Sequence, residues 1–458
     1  MNSDKILSKL IIALTLLLAI LTIFCSCDAL LSSRSIKNTT INSKGELIVY
    51  YTDGTYQNLG QVVGEDGKDG NDGLNGATGA TGATGKPGLD GKDGKDGVDG
   101  TDGVITIVGG DESIALATSK GLRSAVSIIC KFTNATTGQN YASAGAGVIV
   151  DFDKTTGSAY VITNYHVVYD HRASTNDKIS DEISVYIYGA EYENTAVAAT
   201  YLGGTMYYDL AVLEISDSDV LKNSDVTAAS FRSSSEIVVG EDAIAIGNPN
   251  GEGISATCGI ISKDSEYIEM LGADNQTAVE YRVMRVDTAV NSGNSGGGLF
   301  DKNGNLIGIV NAKYNDTEVE NIGYAIPSDI VNAVYNNIIY HCDGINCTTL
   351  QRTLLGITVS TNDSAGVFDP DTGYMHIQET IIVGEVNVTS PALFDLQQND
   401  VIKTITIGEY SKTVTRLFHL IDTMLNAKIG DTITLVIERN GVELEYSYIV
   451  TSSMVVSY

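Results

Sequence analysis

The chain has 458 residues, 43% of them hydrophobic, so two or three units with packed cores are expected. Its formal net charge of −29 argues against nucleic-acid binding, which requires a basic face. The excess of carboxylates reads as a solubilising surface.

At the N-terminus, Lys5 and Lys9 precede an apolar run from Leu10 to Phe24. That run is short for a membrane span and suits the core of a signal peptide. Phe24-Cys25-Ser26-Cys27 follows. A small residue before a cysteine resembles a bacterial lipoprotein cleavage site with Cys27 as the lipidated residue, although Phe24 and Cys25 depart from the usual pattern. Plain secretion and an uncleaved N-terminal anchor stay open. Each places the body of the protein outside the cytoplasm, either anchored at a bacterial cell surface or secreted. Gly45 to Thr55 then alternates like a hairpin around Asp53-Gly54, or forms an unpaired spacer.

From Gly64 to Gly103, glycine occupies every third position, fourteen times without a break. Only a collagen triple helix demands that period, because glycine alone fits at its crowded axis. A flexible linker has no reason to keep it. Pro87 is the only proline of the tract, so pairs such as Lys68-Asp69 and Lys92-Asp93 are candidates to stabilise it. At ~3 Å per residue the stalk would span on the order of 120 Å, and it requires three chains.

Glu112 to Arg123 reads as a short helix leading into a strand from Ala125 to Phe132. Up to residue 340, strand-like runs alternate with Gly, Asn and Asp turns, the pattern of an all-β barrel pair. Ser328 to Tyr340 reads as a closing helix capped by Ser328 or Asp329. Three motifs in this region carry chemistry: Thr163-Asn164-Tyr165-His166, Tyr208-Asp209-Leu210 and Gly293-Asn294-Ser295-Gly296-Gly297. Taken singly, they read equally as a core histidine, a turn aspartate and a hairpin loop. Together they stand in the order His, Asp, Ser of chymotrypsin-type serine proteases, not of subtilisin or the α/β-hydrolases. A serine hydroxyl is a weak nucleophile and needs a base. His166 would take the Ser295 proton and return it to the leaving amine, while Asp209 would hold the imidazole tautomer. Glycines at 293, 296 and 297 let the backbone turn tightly, so that the N–H groups of Gly293 and Ser295 would face the developing charge.

The surrounding text resembles the HtrA family of trypsin-like proteases. The matching pieces include Gly145-Ala146-Gly147-Val148-Ile149, Asp209-Leu210-Ala211-Val212 and Ala245-Ile246-Gly247-Asn248-Pro249. Val286-Asp287-Thr288-Ala289-Val290-Asn291 and Gly323-Tyr324-Ala325-Ile326-Pro327 add to them. The resemblance implies a double six-stranded β-barrel, an ATP-independent endopeptidase acting on unfolded or damaged proteins in protein quality control, and a trimer. It assigns His166, Asp209 and Ser295 as base, orienter and nucleophile, and adds Asn294 to Gly293 and Ser295 in the oxyanion loop. It also places Val310, Asn311 and Ala312 along the primary specificity pocket. No acidic residue stands in that strand, so small or aliphatic residues are expected there rather than Lys or Arg. Residues 263–280 and 312–322 would be the activation and substrate loops.

Residues 353–458 resemble a PDZ domain. Leu354-Leu355-Gly356-Ile357 matches its carboxylate-binding loop, and Ser390-Pro391-Ala392 matches a later turn. Asn399 replaces the usual glycine and accepts positive φ. Val414 to Leu425 would be the groove helix. The resemblance implies capture of peptide C-termini; the alternative is a domain that only packs against the protease. Cys342 and Cys347 flank a turn-forming stretch and are candidates for a small disulfide loop, while Cys130 and Cys258 read as buried thiols. No metal-ligand pattern is complete, and neither a metal nor an organic cofactor is expected.

The expected fold class is mainly β: a chymotrypsin-like double β-barrel plus an α+β PDZ domain, behind a collagen-like triple-helical stalk. The expected division is a leader over 1–27, a spacer over 28–63, the collagen-like repeat over 64–103, the protease over 104–350 and the PDZ domain over 351–458. Expected partners are unfolded protein or peptide substrates, peptide C-termini, a membrane through the N-terminus, and two further copies in a homotrimer, with no nucleic acid. An inactive adhesive scaffold, a chaperone-like holdase and a narrow processing protease are the rival readings.

Overall fold

A computed structural model of the chain describes residues 36–41, 46–51, 54–61, 112–190, 195–311, 322–342 and 350–457. The leader with Cys27, the Gly-x-y tract, Ala312, Lys313 and Cys347 lie outside the described residues. The chain divides into two units, Met1–Thr101 and Asp102–Tyr458.

In the first unit, β1 (Ile36–Ile41), β2 (Glu46–Tyr51) and β3 (Tyr56–Gln61) form an antiparallel sheet in that order. Gly54, at φ 84°, allows the reversal between β2 and β3. Tyr50 stands opposite Tyr56, with ring centroids 5.9 Å apart. The segment thus pairs as a hairpin, with β1 added on its far side.

The second unit begins with α1 (Glu112–Leu122) and a closed barrel. Its strands are β4 (Ala125–Thr133), β5 (Asn140–Asp153), β6 (Ser158–Thr163), β7 (Glu182–Ile187), β8 (Val197–Thr205) and β9 (Leu210–Ile215). Short helices α2 (Tyr165–Val168) and α3 (Asp219–Lys222) decorate it. A second closed barrel comprises β10 (Asp242–Gly247), β11 (Ser255–Leu271), β12 (Ala278–Val286), β13 (Gly298–Phe300), β14 (Leu306–Asn311) and β15 (Gly323–Pro327). Both barrels are antiparallel and share one order, β4-β5-β6-β9-β8-β7 and β10-β11-β12-β15-β14-β13.

Residues 263–280, expected as a loop, are mostly strand. β11 and β12 stay paired from Ile261–Val286 out to Leu271–Ala278. Alternating Ile268, Val279, Tyr281 and Val283 bury one face of this long hairpin. The turn is confined to residues 272–277, where the Asp274 carboxylate accepts from the N–H groups of Gln276 and Thr277 at 2.9 Å.

Helix α4 (Ser328–His341) binds the barrels together. Its Val331, Val334 and Ile338 share one buried cluster with Ile162 and Leu210 of the first barrel and Ile244 and Ile309 of the second. Pro327 stands at its N-cap without a capping side chain. Neither expected cap is made, because Ser328 Oγ donates to the Arg232 carbonyl at 2.5 Å and the Asp329 carboxylate accepts from Ser233 Oγ and Ser235 N–H at 3.0 Å.

The rest of the chain supplies β16 (Gln351–Thr353), β17 (Ile357–Phe368), β18 (Met375–Val386), β19 (Val401–Ile407), β20 (Tyr410–Thr413), β21 (Thr432–Arg439), β22 (Val442–Ile449) and β23 (Val455–Ser457). The main sheet runs β17-β18-β19-β21-β22, with β20 on β19, while β16 pairs with β23. One helix, α5 (Leu417–Met424), packs on its own core. It starts three residues later than expected. Val414 N–H is held by the Lys403 carbonyl at 2.8 Å, and Arg416 stays extended at φ −142°.

Candidate active site

His166 and Asp209 both come from the first barrel, and its chain connections bring them together. His166 lies in α2, immediately after β6, and Asp209 immediately precedes β9. Asp209 adopts φ 50°, a left-handed conformation that Asp tolerates better than most residues. Its carbonyl accepts from Asn164 Nδ2 at 2.9 Å and from Tyr165 N–H at 3.1 Å. Those bonds hold the backbone, so the carboxylate has one direction to point.

Each oxygen of that carboxylate has a defined donor. Oδ1 accepts the His166 backbone N–H at 3.0 Å, and Oδ2 meets His166 Nδ1 at 2.7 Å. An ionised carboxylate only accepts, so Nδ1 carries the proton and Nε2 keeps its lone pair. Asn311 Nδ2 reaches Oδ2 as well, at 3.0 Å. The Asp209 side chain is 7% exposed and that of His166 20%, which leaves the imidazole edge open to a ligand.

Ser295 belongs to the second barrel, in the loop before β13. Its carbonyl accepts from Ala146 N–H of β5 at 2.9 Å, which pins the loop against the barrel that carries His166. Gly293 and Gly296 take φ 96° and 84°. A Cβ on Gly293 would strike the Asn248 carbonyl, and one on Gly296 the Ala146 carbonyl. Among the described residues the Ser295 hydroxyl makes no hydrogen bond to His166, an interaction that commonly tightens only with substrate in place.

The loop aims two donors outward. The Ser292 carbonyl accepts from Asn250 N–H at 2.8 Å. In a trans peptide the C=O and the following N–H point oppositely, so the Gly293 N–H faces away from Asn250. Among the described residues neither the Gly293 nor the Ser295 N–H donates to a protein acceptor. The Asn294 N–H, expected in the same loop, instead turns inward to the Asn291 carbonyl at 3.0 Å. Two free N–H groups beside a serine can stabilise an oxyanion on a carbonyl attacked by that serine.

In the expected specificity strand, Ala312 lies outside the described residues and the side chains of Val310 and Asn311 have partners of their own. The Val310 side chain packs inside the second barrel with Ala243, Met284 and Leu299, because strand alternation turns it inward. The Asn311 side chain, 1% exposed, faces Asp209 and Tyr281 rather than a substrate pocket. Sequence reasoning missed Asn164, Asn250, Tyr281 and this role of Asn311. Their signal is spatial, since Tyr281 and Asn311 meet only when the second barrel closes.

In the C-terminal domain, Leu355 is buried and Leu354 exposed. The Leu355 carbonyl accepts from Ser390 Oγ at 2.6 Å and the Gly356 carbonyl from Asn387 N–H at 2.8 Å. Gly356 sits at φ 71°. Among the described residues the N–H groups of Leu355 and Gly356 donate to no protein acceptor. Beside them a cavity of about 180 Å³ is lined by Leu354, Ile357, Val359, Leu420, Ile421 and Met424. Cys342 is disulfide-bonded, while Cys130 and Cys258 are free thiols, Cys130 buried as expected and Cys258 exposed rather than buried. Burial pushes the Cys130 thiol up to about 12, which keeps it unreactive.

Paired six-stranded barrels, with a His–Asp pair on one and a glycine-flanked serine on the other, define a trypsin-like serine peptidase. Residues 145–309 match the trypsin-like peptidase domain family. The chain is 33% identical over 323 residues to the Serine protease Do-like HtrA of Lactococcus lactis subsp. cremoris (strain MG1363), covering 68% of this chain and 71% of that one. It is 32% identical over 316 residues to the Serine protease Do-like HtrA of Bacillus subtilis (strain 168), covering 66% of this chain and 62% of the relative's length. The chain belongs to the HtrA family of serine proteases. Among solved structures, the HtrA-type protease AlgW with tripeptide aligns at 27% identity and a TM-score of 0.48, over 74% of this chain and 96% of that one. Residues 59–110 match the collagen triple helix repeat.

Proposed function

We propose that the chain is a surface-tethered or secreted endopeptidase that cleaves unfolded or damaged extracytoplasmic proteins through an acyl-enzyme on Ser295. The observation that carries this reading is the His166–Asp209 pair, with Nδ1 bonded at 2.7 Å, on one barrel, and the Ser295 loop with two free N–H groups on the other. His166 Nε2 takes the Ser295 proton as Oγ attacks the scissile carbonyl. The Gly293 and Ser295 N–H groups receive the oxyanion. His166 then protonates the leaving amine, and water releases the acyl group by the reverse sequence. Val310 and Asn311 give no side chain to a substrate pocket, so the cleavage preference falls to backbone shape and to residues beyond β14.

The C-terminal domain acts in this reading as a PDZ-like module. The Leu355 and Gly356 N–H groups receive a peptide's terminal carboxylate, and the apolar cavity takes its last side chain. The Gly-x-y tract joins three copies, because a triple helix needs three strands, and the N-terminal segment tethers the trimer to a membrane through Cys27 or an uncleaved anchor.

The test is cleavage of reduced casein by the chain from residue 28 onward, beside the same protein with Ser295→Ala. Cleavage lost only in the variant supports the protease. A folded trimer that never cleaves, alone or with C-terminal peptides, rejects it in favour of an adhesive scaffold. Holding of casein unchanged in Ser295→Ala would add a chaperone activity.

A further inference from the structure

Tyr281 is the largest buried polar group close to the His–Asp pair that this mechanism leaves unused. It lies on β12, its residue is 1% exposed, and its hydroxyl has two neighbours. Asn311 Nδ2 reaches Tyr281 Oη at 2.5 Å, and the same nitrogen reaches Asp209 Oδ2 at 3.0 Å. An amide nitrogen carries two protons in one plane, so one serves the carboxylate and the other the phenol. The phenol therefore accepts from Asn311, and its own proton points to Met270 Sδ at 3.0 Å. The row Met270, Tyr281, Asn311, Asp209, His166 is thus joined by hydrogen bonds throughout.

That arrangement has a directional consequence. Were the Asn311 amide turned over, its oxygen would face the Asp209 carboxylate, which is repulsive, and its NH₂ would lose both acceptors. Tyr281 is what gives the second N–H a reason to stay. Burial, and then the nearby Asp209 charge, push the phenol well above its usual range, so it remains a neutral hydroxyl at every working pH.

We propose that Tyr281 is a positioning residue for hydrolysis: through Asn311 it holds the Asp209 carboxylate, and so the His166 imidazole, in the orientation that takes the Ser295 proton. Tyr281 touches neither substrate nor the reacting atoms. Its contribution lies in the geometry of proton transfer, so it belongs to kcat and not to substrate binding. The inference rests on the protease reading above.

The experiment compares the wild-type chain from residue 28 onward with Tyr281→Phe, Asn311→Ala and the double variant on one fluorogenic peptide substrate. Tyr281→Phe should lower kcat on the order of ten-fold, with KM within about two-fold. In the Asn311→Ala background it should lower kcat no further, because the link it acts through is gone. Unchanged kcat in Tyr281→Phe, or equal falls in both backgrounds, would overturn the proposal while wild-type cleavage keeps the protease reading intact. A wild type that never cleaves defeats the protease reading itself. Should Tyr281→Phe fail to fold, Met270→Leu removes the acceptor of the phenol proton at similar bulk. It should lower kcat at constant KM by a smaller factor, and an unchanged kcat there would equally overturn the proposal.

Discussion

Arg282 of β12 and Asp422 of α5 form an ion pair with side chains 1% and 8% exposed, so the second barrel and the C-terminal domain share a buried charge pair. The Arg282 guanidinium also lies 4.1 Å from the Phe418 ring centroid. Arg416 pairs with Asp264 of β11 nearby, and Lys412 Nζ donates to Ser235 Oγ at 2.7 Å. Removing one partner of such a pair strands the other away from water. Asp422→Ala should destabilise the protein by about 3–5 kcal/mol, and the double change Arg282→Met, Asp422→Leu should recover most of that loss. Urea unfolding midpoints check both.

His419 sits beside that seam. Burial first, with Lys412, Arg416 and Arg282 adding to it, holds its imidazole down at about 4, against 6.5 for an unperturbed histidine. The unfolded chain then binds a proton between those values that the folded chain refuses. This contribution to stability is complete above about pH 6.5, falls as pH drops and is lost by about pH 4. His419→Gln should flatten the stability profile across that window, as read from unfolding midpoints at stepped pH.

Gly293 tests the oxyanion loop. At φ 96°, with the Asn248 carbonyl where a Cβ would go, Gly293→Ala must shift the Ser292–Gly293 peptide. Losing one oxyanion donor typically costs ~10²–10³ in kcat. We expect a fall of that order with KM little changed and an intact far-ultraviolet dichroism spectrum.

The C-terminal groove has a direct readout. A peptide with a free apolar C-terminus should bind, and its C-terminal amide should bind at least about ten-fold more weakly, because the charge facing the Leu355 and Gly356 N–H groups is gone. Gly356→Ala, strained at φ 71° and close to Ser390, should weaken the acid form toward the amide level. Fluorescence anisotropy with labelled peptides decides it; equal binding of acid and amide would remove the carboxylate reading.

Much of this was readable in the sequence, and the gaps have a pattern. The His166, Asp209 and Ser295 motifs depend on local text: a strand end, a turn aspartate, a glycine-rich loop. Alternation and turn residues likewise marked the barrel strands. What escaped depends on partners far along the chain. The resemblance reads Asn311 as a pocket residue, yet its side chain is held by Asp209 and Tyr281, 102 and 30 positions away. The resemblance reads residues 263–280 as a loop, but pairing with β12 keeps β11 extended through Leu271, with a bulge between Lys263 and Glu266. The late start of α5 follows from Arg416 reaching Asp264, which no local propensity records.

The serine stands on one half of the fold, and the histidine and aspartate on the other. A molecule whose two halves begin to part therefore disarms itself before it unravels. Loss of activity on warming should then precede loss of secondary structure.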